Sequence, residues 1–293
     1  MNIFDTQIHT RLARLLLIMS GFVLLPGCSL FLDSATSNFA NNLSLSIKSQ
    51  VDPDTVKTAI PSYLIMLDAM IEGSPDNKKL LRAAATLNNN YASLFIKKPQ
   101  RKKIIAEKSL NYAGKALCLQ NELACSITKI PFDDFSKLTT TINRESLPFY
   151  FTLAASWAGW VQANSDDWNA VAQLAKIRAI MEQVVKLDET YQQGGAHLYL
   201  GVLDTLVPPA LGGQIERARK HFEKAIALSS GQNLIAKVYF AERYARVIFD
   251  RDMHDKILKE VINAKDTEAT LRLSNAIARD KARELLESAN DYF

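Results

Sequence analysis

Apolar residues recur every three or four positions along nearly all of the chain beyond residue 50, and strand-type alternation bounded by turns is hard to find. This spacing predicts helices over 54–72, bent or begun at Pro61, then 77–96, 101–119, 149–163, 168–187, 253–264 and 268–290, with a short one near 132–141. Gly73-Ser74-Pro75-Asp76 reads as a turn, 97–100 as a break and 120–147 as a long connection. Between 194 and 250 two apolar helical segments and then a third are punctuated by Pro208-Pro209 and Gly212-Gly213. Three of the helices share one register. Ala113, Ala116 and Leu117 form one set, Met181, Val184 and Val185 a second, and Phe222, Ala225 and Ile226 a third. Each set is a core position, another three residues on, and an adjacent apolar one, all on one face. The sets start 68 and 41 residues apart, so the repeats are unequal and carry insertions.

Leu200-Gly201 followed by Ala218, Phe222 and Ala225 resembles the tetratricopeptide repeat, in which a small residue lets two antiparallel helices approach and an aromatic fills the gap beside it. The expected fold is all-α: stacked helical hairpins forming a TPR-like α-solenoid over residues 51–293. Its concave face is the usual binding surface of such stacks. Pro208 to Gly213 is an insertion inside one hairpin and must project from the stack, which makes it a candidate for meeting a partner or covering a groove. A rigid structural turn is the bland alternative.

The N-terminal segment has the form of an address. Arg11 and Arg14 precede an apolar run over 15–25 that is too short to span a bilayer and suits a signal sequence. The run ends in Leu25-Pro26-Gly27-Cys28, which resembles a bacterial lipobox; an ordinary secretory signal with a chance cysteine is the alternative. On the lipobox reading, residues 1–27 are a lipoprotein signal peptide, Cys28 carries the lipid and anchors the chain to the membrane, and 28–50, rich in Ser, Asn and Ala, is a flexible tether. Ser29 in place of Asp favours the outer membrane in a Gram-negative cell.

In that oxidising compartment Cys118 and Cys125, within CLQNELAC, read as a disulfide joining a helix end to the next loop, against two buried free thiols. The full chain carries a net charge of +4, and loss of residues 1–27 removes two Arg and one Asp. A balance this slight argues against nucleic acid as a partner. The densest basic run, Lys97, Lys98, Arg101, Lys102 and Lys103, reads as a solvated helix start, with an anionic lipid or acidic partner as the alternative.

His197 and Asp204 lie two turns apart on one helix face and either touch a ligand or satisfy each other. Tyr91, Trp157, Trp160, Tyr199, Tyr239 and Tyr244 are candidates for lining an apolar groove with polar tips, although aromatics at helical spacing are mostly core. Glu242 is a candidate orienting charge, with a solvated helix face as the alternative. No nucleophile elbow, metal-spaced His or Cys set, glycine-rich phosphate loop or HExxH is present, so neither an enzyme nor a metal or cofactor is expected. A helical cell-wall hydrolase would need a paired-carboxylate cleft, and Asp133-Asp134 and Asp166-Asp167 read better as helix caps.

Taken in order behind the lipobox, several segments resemble the T component of the tetratricopeptide-associated TRAP transporters. They are Ala59-Ile-Pro-Ser, Ser74-Pro-Asp-Asn with 80–91, Gly195-Ala-His-Leu-Tyr-Leu-Gly, and Pro208-Pro-Ala-Leu-Gly-Gly. Ala218 with His221-Phe-Glu-Lys-Ala, and the segment 234–246, complete the set. The resemblance spans 51 to about 264. It implies a periplasmic, lipid-anchored accessory protein that binds a TRAP solute-binding protein, allows a homo-oligomer, and offers a groove or pore to a small hydrophobic ligand. The ligand- or partner-binding candidates are then Tyr91, Trp157, His197, Tyr199, Asp204, Pro208, Pro209, Leu211, Gly212, Gly213, Tyr239, Glu242 and Tyr244. A lipoprotein scaffold for outer-membrane or cell-wall assembly would use the same repeats.

Overall fold

The computed structural model describes residues 27–206 and 213–293, with side chains from residue 38 onward. Helix α1 spans Gly27–Lys48, α2 Pro53–Gly73, α3 Lys78–Phe95 and α4 Pro99–Gln120. After a 3-10 turn at Glu122–Ala124 come α5 (Phe132–Thr139), α6 (Leu147–Ala163), the one-turn α7 (Trp168–Val171) and α8 (Leu174–Asp188). Next are α9 (Gly195–Asp204), α10 (Ile215–Leu228) and α11 (Leu234–Phe240), which runs into a π turn at Ala241–Ala245. A 3-10 turn at Ala269–Leu271 follows α12 (Arg251–Asn263), and α13 (Arg272–Glu287) and α14 (Ala289–Tyr292) end the chain. No strand occurs among the described residues; the protein is an all-α stack of helical hairpins.

Local chemistry sets most helix ends. Asp52 caps α2, its side chain accepting from the Asp54 amide at 3.0 Å with Pro53 at the first helical position; Asn77 caps α3 through the Leu80 amide. Pro61 sits inside α2, which continues through it to Gly73. The single helix expected over 168–187 is broken at Ala172 and Gln173, leaving α7, capped by Asp167, and α8.

The sharpest departure from expectation is at the start. The stretch 28–50, expected as a flexible tether, is helical from Gly27 to Lys48. It packs on α2, α3 and α13, so tertiary contact supplies the order that its Ser- and Asn-rich composition does not. Cys28 falls in its first turn, and the signal sequence lies outside the described residues.

The shared register maps onto the core. Ala113, Ala116, Leu117, Met181, Val184, Phe222 and Ala225 are all buried, with Val185 and Ile226 half-buried beside them. Where α9 meets α10, a Cβ added to Gly201 would lie 2.9–3.1 Å from three ring atoms of Phe222, which is fully buried. Only glycine permits that approach. Cys118, in the last turn of α4, is disulfide-bonded to Cys125 just past the 3-10 turn, with Cα atoms 4.3 Å apart.

The stack does not end open. Leu273 of α13, with Ile277 against it, packs on Val56, Ile60 and Leu64 of α2 and on Tyr91 and Ile96 at α3, with Ile47 of α1 alongside. The last long helix thus returns to the first ones.

The Gly201–Phe222 contact gives a thermodynamic test. Phe222→Ala is expected to cost about 3–5 kcal/mol and Gly201→Ala about 1–3 kcal/mol by overpacking. In the Phe222→Ala background the ring is gone, so Gly201→Ala should cost close to nothing. Urea unfolding of the four chains measures the coupling, and additive effects would show that the two residues do not constrain each other.

Candidate functional site

A cavity of about 440 Å³ opens between α1, α3, α6 and α9. Its apolar walls come from Leu43 and Ile47 of α1, Leu87 of α3, Phe151 of α6, and Tyr191 and Tyr199 at α9. Phe151 is the hinge of an aromatic trio, meeting Tyr191 edge-on at 5.2 Å and Tyr199 at 6.0 Å between ring centres. The turn before α9 places Tyr191 and Gln192 at this wall: Gln192, Gln193 and Gly194 all adopt positive φ, at 50°, 56° and 79°. Burial, with Tyr239 nearby, pushes the Tyr199 hydroxyl up to about 12, so it stays a neutral hydrogen-bonding tip.

The polar lining runs along one face of α3. Arg82, Thr86, Asn89 and Asn90 follow at helical spacing, opposite Ser44 and Lys48 of α1 and Thr152 and Ser156 of α6. Asn89 is buried, and its Oδ1 has no hydrogen-bond partner. That oxygen lies 2.1 Å from where a Cβ at Gly159 would stand, so a side chain at 159 would displace the Asn89 amide. Ser109 of α4 ties the same crossing, its hydroxyl 2.8 Å from the Ala85 carbonyl and 2.9 Å from Ser156 Oγ.

A second polar centre lies where α8, α9 and α10 meet. The Asp204 carboxylate is fully buried and accepts from Arg178 at 2.6 Å and from both Nε and Nη2 of Arg217, at 2.8 and 2.6 Å. His197 Nδ1 lies 2.9 Å from His221 Nδ1, while His221 Nε2 is 3.9 Å from Asp204 and His197 Nε2 is 3.7 Å from Glu189. Lys224 pairs with Glu189 at 3.1 Å. The Nδ1 pair requires one ring to donate and the other to accept, so both cannot be imidazolium while it persists. Asp204 closes α9 and Arg217 opens α10, so this ion pair clamps the two ends of the insertion between them.

These placements redistribute the residues singled out from the sequence. Tyr199 lines the cavity. His197 and Asp204 share a cluster, but His221 stands between them and Asp204 is satisfied by arginines. Trp157 is fully buried edge-on against Phe135 of α5, which packs on α8 and removes that face from any groove. Tyr91 belongs to the closure cluster and accepts from Arg101 at 3.1 Å. Tyr244 packs on Phe240 within the Phe222 cluster, with Tyr239 half-buried beside it. Glu242 pairs with Lys281 at 3.4 Å and Arg243 at 3.7 Å, Trp160 donates to Glu107, and Asp166 pairs with Lys103 at 2.9 Å. Pro208, Pro209, Leu211 and Gly212 lie outside the described residues; Gly213 is half-buried.

Sequence reasoning passed over Lys48, Arg82, Asn89 and Phe151, and the partners Arg178, Arg217 and His221. One signal was available: Asn88-Asn89-Asn90 interrupts an otherwise good helix with three poor helix formers. Among the described residues no group of three His, Cys, Asp or Glu side chains is placed to hold a metal, and no helix is long and apolar enough to cross a membrane.

The sequence matches the TRAP transporter T-component family over residues 49–293, which is all of the chain beyond α1. The protein belongs to that family. No curated protein matches it. As a T component it is an accessory subunit of a TRAP transport system, and the match extends through α13 and α14, beyond the segments that carried the resemblance in the sequence.

The buried cluster has a pH signature. Burial, then His197, pushes His221 down to about 4. A histidine held below its unfolded value of ~6.5 binds fewer protons folded than unfolded between those values, so its contribution is complete above that range and is lost as pH falls toward 4. Urea unfolding at pH 7.5 and 4.5 should differ by about 2–3 kcal/mol less in His221→Gln than in the unaltered chain. Asp204→Asn, which strands two arginines, should cost about 3 kcal/mol at neutral pH.

Proposed function

We propose that this T component is a lipoprotein of the periplasmic face, held at the outer membrane through Cys28, which docks the solute-binding protein of its uptake system and holds a small hydrophobic ligand. The observation that carries the reading is the cavity between α1, α3, α6 and α9. A lined space of about 440 Å³ suits retention of a small molecule, since sites of roughly 300–1,000 Å³ are typical for such ligands. Docking is assigned to the insertion at 207–212, whose stem is fixed by Asp204 and Arg217 and whose Pro208-Pro209 and Leu211 are exceptional in sequence between two regular helices.

Cross-linking of the envelope in cells that carry a tagged full chain tests the partner. A solute-binding protein is expected at near-stoichiometric recovery, falling at least tenfold when Pro208, Pro209 and Leu211 are changed to Ser with no change in melting temperature. Recovery of outer-membrane assembly or cell-wall proteins in its place would establish the scaffold reading. Cys28→Ser should abolish incorporation of radiolabelled palmitate, and unchanged labelling would remove the anchor from Cys28.

A further inference from the structure

The charge of the cavity is lopsided. Of its lining residues, Lys48 and Arg82 carry charge and none is Asp or Glu. Among the described residues neither cation has a carboxylate within ion-pair distance, whereas half-buried Arg178 holds Asp204 and half-buried Arg279 holds Asp266. Arg82 leans over the Phe149 ring at 5.7 Å and its Nε is buried without a partner. Burial, and then the Arg82 charge, lower the pKa of Lys48, so the two cations feel each other across the cavity.

Helix dipoles account for half of this. Lys48 sits in the last turn of α1, where a cation is favoured. Arg82 lies in the second turn of α3, beyond the reach of a helix-end effect, and burying part of a guanidinium with an unpaired Nε costs free energy. An arrangement with two like charges facing one space and no counter-charge among the described residues is relieved by a ligand that brings a negative charge. The rest of the lining limits what that ligand is. Leu43, Leu87, Phe151 and Tyr199 offer apolar surface, and Asn89, Thr86 and Ser156 are neutral.

We propose that the cavity binds an amphipathic monoanion, its acid headgroup between Lys48 and Arg82 and its apolar body against Leu43, Leu87, Phe151 and Tyr199. The inference rests on the reading of the cavity as a ligand site and sharpens its chemistry from simply hydrophobic to hydrophobic with one negative end. It is independent of receptor docking: the titration below contains no receptor, so its failure and a failed cross-link are separate results.

Isothermal titration of the full chain in phosphocholine nanodiscs, with empty discs subtracted, uses octanoate and octyl phosphate as probes. One of the two should saturate a single site, and the better one reports whether the headgroup is a carboxylate or a phosphate. Lys48→Gln and Arg82→Gln, each checked for an unchanged circular dichroism melt, should weaken that probe at least tenfold, and Lys48→Arg should restore it to within threefold. Two variants on different helices keep the test alive if one fails to fold. No heat beyond empty discs, 1-octanol binding as tightly as the anions, or wild-type affinity in both Gln variants would overturn the proposal. Succinate binding as tightly as octanoate would overturn its apolar half.

Discussion

Everything in this protein depends on how closely its helices can pass. A helical hairpin cannot bury its apolar stripe alone and must stack, and stacking at this density requires small residues where axes converge. Gly201 beneath Phe222 and Ser109 between α3 and α6 are points at which the spacing is set. A bulkier residue at either pushes two helices apart, and the displacement passes along the stack because each repeat rests on its neighbours. The stack curves until α13 reaches α2 and α3.

Charge is handled in two opposite ways within that frame. At the junction of α8, α9 and α10, one carboxylate with no exposed surface is held by two arginines, and the adjacent imidazoles share a single hydrogen bond. Such a centre contributes little net stability relative to an apolar core but strongly resists loss of any one member. Its position gives it a use: it locks α9 to α10 where the insertion departs. In the cavity the two cations have no carboxylate partner among the described residues. One arrangement is complete in the protein alone, and the other is not.

The helical stack was legible because amphipathic spacing is a local property: α3, α4, α6, α10 and α12 lie within a few residues of where the periodicity puts them, and the Gly201–Phe222 contact could be read from residue types alone. The cavity was not legible. Its lining comes from segments around residues 45, 85, 153 and 195, and nothing local marks Arg82 as facing Lys48 rather than solvent. Helix α1 was missed for the same reason, since Ser and Asn favour loops until tertiary packing overrides them. Trp157 shows the converse error: its face was correctly apolar, but which apolar face stays open depends on where the α5 connection lands. For Asp204 the burial was readable from the face it shares with Leu200, whereas Arg178 on the preceding helix was not.

Helix α1 is both the segment nearest Cys28 and one wall of the cavity. Reciprocity follows from that double membership. Whatever free energy a bound molecule gains from the α1 wall, it returns by holding α1 against the stack, and by the same amount. Loosening α1 must therefore lower the affinity of the cavity for such a molecule, and a filled cavity must resist movement of α1. Placement of α1 and occupancy are two readings of one equilibrium.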